Sequence, residues 1–137
     1  SSDVCSSDLL STLNGSDVRI SFTPLLAPMS RGIHATVTAK LAEGINASRL
    51  RAAFVDQYAN SAFVLVLPEG EQPRTANVLG TNHVQLQVMV DEHTRRMVTT
   101  VVIDNLVKGA AGQAIQNANL MFGFDQSTGL DQMGVAP

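Results

Sequence analysis

Alternating apolar and polar residues predict strands through much of this chain. "VRISFTP", from residue 18 to Pro24, alternates, and "RGIHATVTAKL" after it is rich in β-branched residues, so both are predicted strands. The loop between them, "TPLLAPMS", contains two prolines that restrict its path. "AFVLVLP" predicts a short strand that ends at Pro68, and "HVQLQVMVD" alternates with its aliphatic residues on one side. "MVTTVVID" follows the polar turn "EHTRR" and is the predicted hairpin partner.

Two segments have helical spacing instead. "NASRLRAAFVDQYANS" is a predicted amphipathic helix, with Asn46 or Ser48 as its N-cap. Residues 103–123, "IDNLVKGAAGQAIQNANLMFG", form a second predicted helix, for which Asp104 and Asn105 are the candidate caps. The resulting order, β-β-α-β-β-β-α, predicts an α+β domain with a mostly antiparallel sheet covered by helices.

The first nine residues differ from the rest of the chain. "SSDVCSSDL" repeats Ser-Ser-Asp and has no hydrophobic periodicity, and part of it can be spelled by a sequencing-adapter tail read in frame. We therefore expect residues 1–9 to be a non-native leader with nothing to pack against. The single cysteine, Cys5, lies in this segment. A reactive thiol needs a positive and partly enclosed setting, so Cys5 is not a predicted nucleophile.

The length, hydrophobic content and net charge of the chain argue against several classes of function. A chain of 137 residues, 45% of them hydrophobic, can form one domain with a core. The net charge is -3 and the basic residues are scattered, so nucleic acid is not an expected partner. No apolar run approaches the roughly 20 residues that span a bilayer, so a cytoplasmic protein without a membrane partner is expected. His34, His83 and His93 lie outside metal-ligand spacing, and no metal is predicted.

The second helix and one arginine are the candidate binding features. Small residues around Gly109 would let a backbone, a helix or a flat ring approach, although the spacing alone favours ordinary helix-on-sheet packing. Lys108 is either a phosphate-attracting cation or a solvated charge near the helix start. Arg31 follows the proline-containing loop, where its guanidinium could bind a phosphate or carboxylate through two nitrogens or form a surface ion pair.

Three blocks of the sequence resemble a known family. "SFTPLLAPMSRGI", "FVLVLPEGEQPRTANVLGTN" and "IDNLVKGAAGQAIQNANLMFG" look like successive blocks of the N-acetyl-gamma-glutamyl-phosphate reductases of arginine biosynthesis. The resemblance implies NADP-dependent reduction of an acyl phosphate, a small-molecule substrate, to an aldehyde. In that family a cysteine thiolate forms an acyl-enzyme, and that cysteine, its assisting histidine and the nucleotide-binding glycine motif lie upstream of these blocks. No catalytic residue is therefore assigned to this chain.

The resemblance also implies a division of the chain and a set of site residues. Residues 10–103 are expected to be part of a catalytic and oligomerisation domain like that of the semialdehyde dehydrogenases, in a homo-oligomer. Residues 104–137 would return to a nucleotide-binding domain. There Asn105 would bind the nicotinamide carboxamide, Gly109 would make room for the ring and Lys108 would contact the cofactor, while Arg31 would bind substrate.

Two other functions are compatible with the same sequence. One is a non-catalytic oligomerisation module on the same scaffold. The other is a related reductase of lysine biosynthesis, which would share these blocks and act on a carrier-linked substrate. Upstream sequence would separate the module from the two reductases, because both reductases need a nucleotide-binding motif and a nucleophilic cysteine. The residues that distinguish the two reductases by substrate are also expected upstream.

Overall fold

In this computed structural model, residues 2–131 and residue 134 are described, residues 2–6 by their backbone only. The chain forms three α-helices and four strands within those residues. In chain order they are α1 Ser2–Asn14, β1 Ile33–Lys40, α2 Ala47–Tyr58, β2 Val64–Val66, β3 Val84–Asp91, β4 Arg96–Ile103 and α3 Gly112–Phe122. A 3₁₀ turn, Thr75–Asn77, precedes β3, and a π-helical turn, Val107–Ala111, leads directly into α3.

The four strands form one sheet in the order β1-β4-β3-β2. β4 pairs antiparallel with β1 and with β3, whereas β2 runs parallel to β3. The predicted hairpin of β3 and β4 is confirmed, and so is the α+β class with a mostly antiparallel sheet. In the hairpin turn, the Asp91 carboxylate accepts hydrogen bonds from the backbone N–H groups of His93 and Thr94. Arg95 completes the turn with a left-handed φ of 55°.

The predicted strand at residues 18–24 is wrong. This segment has neither helix nor strand structure, and Phe22 within it is 53% exposed. β1 is an edge strand that pairs only with β4, and no described segment lies along its outer edge. An alternating sequence forms a strand only where a neighbouring strand supplies hydrogen-bond partners, and this segment has none.

α2 forms as predicted and shows which cap is used. The Asn46 side chain accepts a hydrogen bond from the Arg49 backbone N–H, so Asn46, rather than Ser48, is the N-cap. The helix contacts β2 and β3. Arg51 reaches from it to the side chain of Gln87 on β3 and to the backbone carbonyl of Leu67, just past the end of β2.

Residues 2–14, which include most of the expected leader, are helical. The leucines of α1 remain largely in solvent, with Leu13 77% exposed. The helix is held mainly by local contacts, such as the bond between the Ser11 hydroxyl and the Val18 backbone N–H. A helix therefore forms where no element was predicted, but it buries little apolar surface. The side chain of Cys5 lies outside the described part of the chain.

The hydrophobic core is formed mainly by residues of β3 and β4 and by residues that flank β2. Its buried hydrophobic residues are Phe63, Leu67, Val78, Val84, Leu86, Val88, Val102 and Leu130. The chain after α3 turns back onto it, because the Asn119 side chain donates hydrogen bonds to the backbone carbonyls of Gln126 and Thr128. The segment after α3 is therefore held against this helix, and Leu130 at its end is buried. Within the described residues, no helix is long and apolar enough to cross a membrane.

Candidate functional site

The register of the sheet brings two of the predicted site residues together. β1 and β4 are antiparallel and their last pair at this end is Ile33 with Ile103. The residues just before β1 therefore lie opposite those just after β4. Arg31 Nε lies 2.9 Å from Asp104 Oδ2, and the Gly32 backbone N–H donates to Asn105 Oδ1 at 2.7 Å. We call this arrangement of Arg31, Gly32, Asp104 and Asn105 the clasp.

Asp104 is the buried centre of the clasp. Its side chain is fully buried, and its Oδ1 accepts hydrogen bonds from the backbone N–H groups of Leu106 at 2.7 Å and Val107 at 2.9 Å. Its Oδ2 accepts from the Gly80 N–H at 2.6 Å. Asp104, rather than Asn105, is therefore the cap of the helical segment that follows.

The surroundings of Asp104 favour the charged carboxylate. Burial alone raises the pKa of Asp104, but the hydrogen bonds from Gly80, Val107 and Leu106 and the contact with Arg31 outweigh burial and lower it below its ordinary value. A fully buried carboxylate is normally tolerated only with such partners. The negative charge is therefore held in place by three backbone dipoles and one guanidinium.

Arg31 presents its far end to solvent. Its Nε is buried, and the contact with Asp104 is an ion pair whose geometry falls short of a directed hydrogen bond. The side chain as a whole is 35% exposed. Among the described residues, Nη1 and Nη2 donate no hydrogen bond. Arg31 therefore combines a fixed inner nitrogen with two available outer ones.

Asn105 has one of its two polar ends in use. The side-chain oxygen accepts from the Gly32 N–H, and Gly32 is held close to the Thr75 side chain, with a left-handed φ of 103°. The Nδ2 group has no acceptor among the described residues. A ligand carbonyl could accept from this group, whereas the oxygen that would receive a carboxamide N–H is occupied.

Gly109 lies beside the clasp in the π-helical turn. Its backbone N–H donates to the Asp104 carbonyl at 2.8 Å, five residues earlier. A Cβ added at Gly109 would lie 3.3 Å from that carbonyl oxygen and about as close to the Cδ1 atoms of Ile33 (3.6 Å) and Ile103 (3.5 Å). One side of Gly109 is thus closely packed, while the residue itself is exposed to solvent.

The closest approach to this helix is at Gly112, which sequence analysis did not single out. A Cβ there would lie 2.5 Å from Asn82 Oδ1 and 2.7 Å from Val107 Cγ1. Asn82 is buried, and its Oδ1 has no hydrogen-bond partner among the described residues. Glycine at this position therefore lets a buried side chain touch the helix backbone. The only sequence signal was the general run of small residues.

Lys108 lies apart from the clasp. Its Nζ donates to Gln116 Oε1 at 2.6 Å and lies 5.5 Å from the centre of the Phe63 ring. Gln116 Oε1 also accepts from Asn82 Nδ2. Burial lowers the pKa of Lys108. This lysine is thus neither a solvated charge nor an unengaged phosphate ligand; it belongs to a polar group beneath α3.

The histidines stay outside the clasp. His34 is exposed on β1, His93 lies in the exposed hairpin turn, and the ring of His83 meets that of Phe63 edge-on at 5.7 Å. Among the described residues, no three His, Cys, Asp or Glu side chains lie together as a metal site would require.

The four-stranded sheet and its helices have the fold of a solved structure. The structure matches aspartate semialdehyde dehydrogenase II from Vibrio cholerae, with a TM-score of 0.55 and 24% identity, over 68% of this chain and 27% of that chain. This likeness establishes the fold. Residues 7–105 match the semialdehyde dehydrogenase dimerisation domain, and the chain belongs to that family.

Three relatives with higher sequence identity to this chain have the same name. The chain is 54% identical over 123 residues to the N-acetyl-gamma-glutamyl-phosphate reductase of Micrococcus luteus, and 51% identical over 132 residues to that of Renibacterium salmoninarum. The reductase of Corynebacterium glutamicum is 50% identical over 128 residues. These matches cover 90 to 93% of this chain but only 36 to 38% of the relatives, so the chain spans little more than a third of their length.

Proposed function

We propose that this chain is the C-terminal part of an NADP-dependent reductase that converts N-acetyl-gamma-glutamyl phosphate to N-acetylglutamate semialdehyde and phosphate in arginine biosynthesis. The observation that carries the proposal is about 50% identity, over nine-tenths of this chain, to reductases of that name. The semialdehyde dehydrogenase fold supports the same reaction type. In this proposal the nucleophilic cysteine and the nucleotide-binding motif belong to the upstream part of the protein.

The clasp gives this chain its part in substrate binding. Arg31 has two outer nitrogens that could bind a phosphate, and a guanidinium matches phosphate oxygens in geometry as well as charge. The acyl-phosphate substrate carries the matching negative charge. We therefore assign Arg31 to substrate binding, with its ion pair to Asp104 as the fixed end.

The cofactor would lie on the side of Asn105 and Gly109. When bound, NADP supplies the hydride that reduces the acyl-enzyme. Asn105 Nδ2 can donate to a carboxamide oxygen, and the exposed side of Gly109 leaves room for a ring. Lys108 would have to leave Gln116 to reach a cofactor phosphate, so its proposed role is indirect, through the start of α3.

Assembly and location follow from the same proposal. The family is defined as a dimerisation domain, which supports a homo-oligomer in which this chain contributes the contact. A biosynthetic reductase acting on a soluble metabolite is expected in the cytoplasm.

The test is reductase activity of a full-length protein that contains this segment. With the upstream part present, we expect NADPH oxidation that depends on N-acetyl-gamma-glutamyl phosphate, and none from the isolated 137-residue chain. The matched control is the full-length protein with its upstream cysteine replaced by serine. Absence of turnover in the full-length protein would refute the assignment, and turnover by the isolated chain would refute the proposed division of labour.

A further inference from the structure

We propose that Asp104 is a positioning residue, which holds Arg31 by its Nε so that the two outer guanidinium nitrogens are free to bind the phosphate of the substrate. The inference rests on the proposed function, since that function makes the substrate an acyl phosphate. Asp104 itself is fully buried and would not touch the substrate. It would act only through Arg31.

Asp104 contacts Arg31 at the inner nitrogen, Nε. A guanidinium and a carboxylate often pair through two nitrogens, which occupies most of the donors of the arginine. Here Nε lies 2.9 Å from Asp104 Oδ2, and neither Nη1 nor Nη2 donates a hydrogen bond to Asp104. The outer end of Arg31 is the part that reaches solvent. The pair thus fixes the direction of the side chain without using the donors that a phosphate needs.

The balance of charge between Arg31 and Asp104 determines how strongly Arg31 attracts an anion. An arginine whose charge is fully matched by one carboxylate has little attraction left for an anion. Asp104, however, also accepts hydrogen bonds from the N–H groups of Gly80, Leu106 and Val107. These three dipoles stabilise much of its negative charge, so Arg31 keeps a larger share of its positive potential for a ligand.

The position of the Arg31 guanidinium is held rigidly by its surroundings. The donors to Asp104 come from the loop before β3 and from the start of the helical segment, and Asn105 holds the backbone of Gly32 next to Arg31. Two separate parts of the chain, the loop at Gly80 and residues 104–107, therefore fix the position of one guanidinium. A binding group held by such a shell loses less conformational entropy when the ligand arrives.

The kinetic test compares Asp104→Asn with Asp91→Asn in the full-length reductase. Asp91 is a matched control, because it also accepts backbone N–H bonds in a turn but is only half-buried and has no contact with Arg31. We expect Asp104→Asn to raise the KM for the acyl phosphate about tenfold or more, the loss typical of a charged hydrogen-bonding group, and to leave the KM for NADPH within about twofold. Asp91→Asn should change neither constant.

A purely structural role predicts a different pattern. Asp104→Asn would then lower the melting temperature and the active fraction, while the folded enzyme kept its KM for the acyl phosphate. That result would overturn the proposal. Asp104→Ser, which keeps a cap oxygen for the helix start, provides a second variant. If neither variant folds, Asp104 belongs to stability alone and the proposal is wrong.

A binding measurement separates this inference from the assigned reaction. In the full-length protein, the Arg31 Nε–H can be followed by nitrogen-15 NMR during titration with inorganic phosphate. We expect a saturable shift in the wild-type chain and in Asp91→Asn, and its loss in Asp104→Asn with an otherwise folded spectrum. An equal shift in Asp104→Asn, or no shift in the wild type, would refute the inference whether or not the full-length protein is a reductase.

Discussion

At the scale of single residues, Asp104 has the most consequences. Its carboxylate is buried and charged, and it contacts groups from three parts of the chain: Arg31, Gly80 and the backbone of Leu106 and Val107. A residue with this environment links the start of β1 to the end of β4. Removing the carboxylate leaves three donors and a guanidinium without their acceptor, which is more costly than losing one surface ion pair.

The lowered pKa of Asp104 predicts how stability depends on pH. Because the folded-state pKa lies below the ordinary value of 3.8, the stabilisation is fully present above that value and is lost as the pH falls through the folded-state pKa. Each unit of lowering corresponds to roughly 1.4 kcal/mol. We expect Asp104→Asn to be less stable at neutral pH and to lose less stability on acidification. Urea unfolding from neutral to acidic pH measures this, and parallel curves for the two proteins would contradict it.

At the scale of secondary-structure elements, the helical segment before α3 departs from regular α-helix geometry. The π-helical turn Val107–Ala111 uses bonds that span five residues, such as that from Ala111 to Leu106, before regular helix begins at Gly112. The Asn82 side chain fits against this start. The small residues of this helix are therefore explained in part by a side chain of the chain itself.

Substitution of the two glycines should separate close packing from helix propensity. Alanine favours a helix over glycine by about 1 kcal/mol, so Gly109→Ala, whose new Cβ would be 3.3 Å from its nearest neighbour, should be near neutral. At Gly112 the Cβ would meet Asn82 at 2.5 Å, and Gly112→Ala should destabilise by about 1 to 3 kcal/mol. Denaturant unfolding of both variants is the measurement. Equal stability of the two would show that Asn82 moves aside freely.

At the scale of the whole molecule, a considerable amount of apolar surface is uncovered. The end of α3 exposes Leu120, Met121 and Phe122 at 59%, 82% and 75%, and Phe124 follows at 61%. The outer edge of β1 is also open, with Val37 49% exposed. Single monomers rarely keep so many large hydrophobic residues in water, and such surfaces usually contact other protein. The chain spans only about a third of its relatives, which is consistent with this exposure.

We therefore expect the 137-residue chain to self-associate at working concentration. Phe122→Glu should lower the association, because it places a charge in the apolar surface at the end of α3. Asn117→Glu is the matched control, since it adds the same charge at an exposed position of the same helix. Light scattering gives the mass of each protein. A monomeric wild-type chain, or equal association of the two variants, would contradict the expectation.

The sequence by itself determined the elements whose pattern is local. α2, the β3–β4 hairpin and the short strand before Pro68 all follow from periodicity and turn chemistry within a few residues, while the choice of Asn46 over Ser48 as the cap came from the structure. Family membership was also readable, because the blocks around Arg31 and Lys108 are specific in order and residue type.

Only the tertiary structure decided what depends on a distant partner. Residues 18–24 alternate like a strand but lie beside no described strand. Arg31 and Asp104 are 73 positions apart, and nothing in either segment alone shows that the β1–β4 register brings them within 2.9 Å. Packing likewise places the Asn82 side chain against Gly112, and it places Gln116 Oε1 where it accepts a hydrogen bond from Lys108 Nζ. Periodicity reports which face of an element is apolar, but side-chain partners are set by long-range register and packing, which a local pattern does not contain.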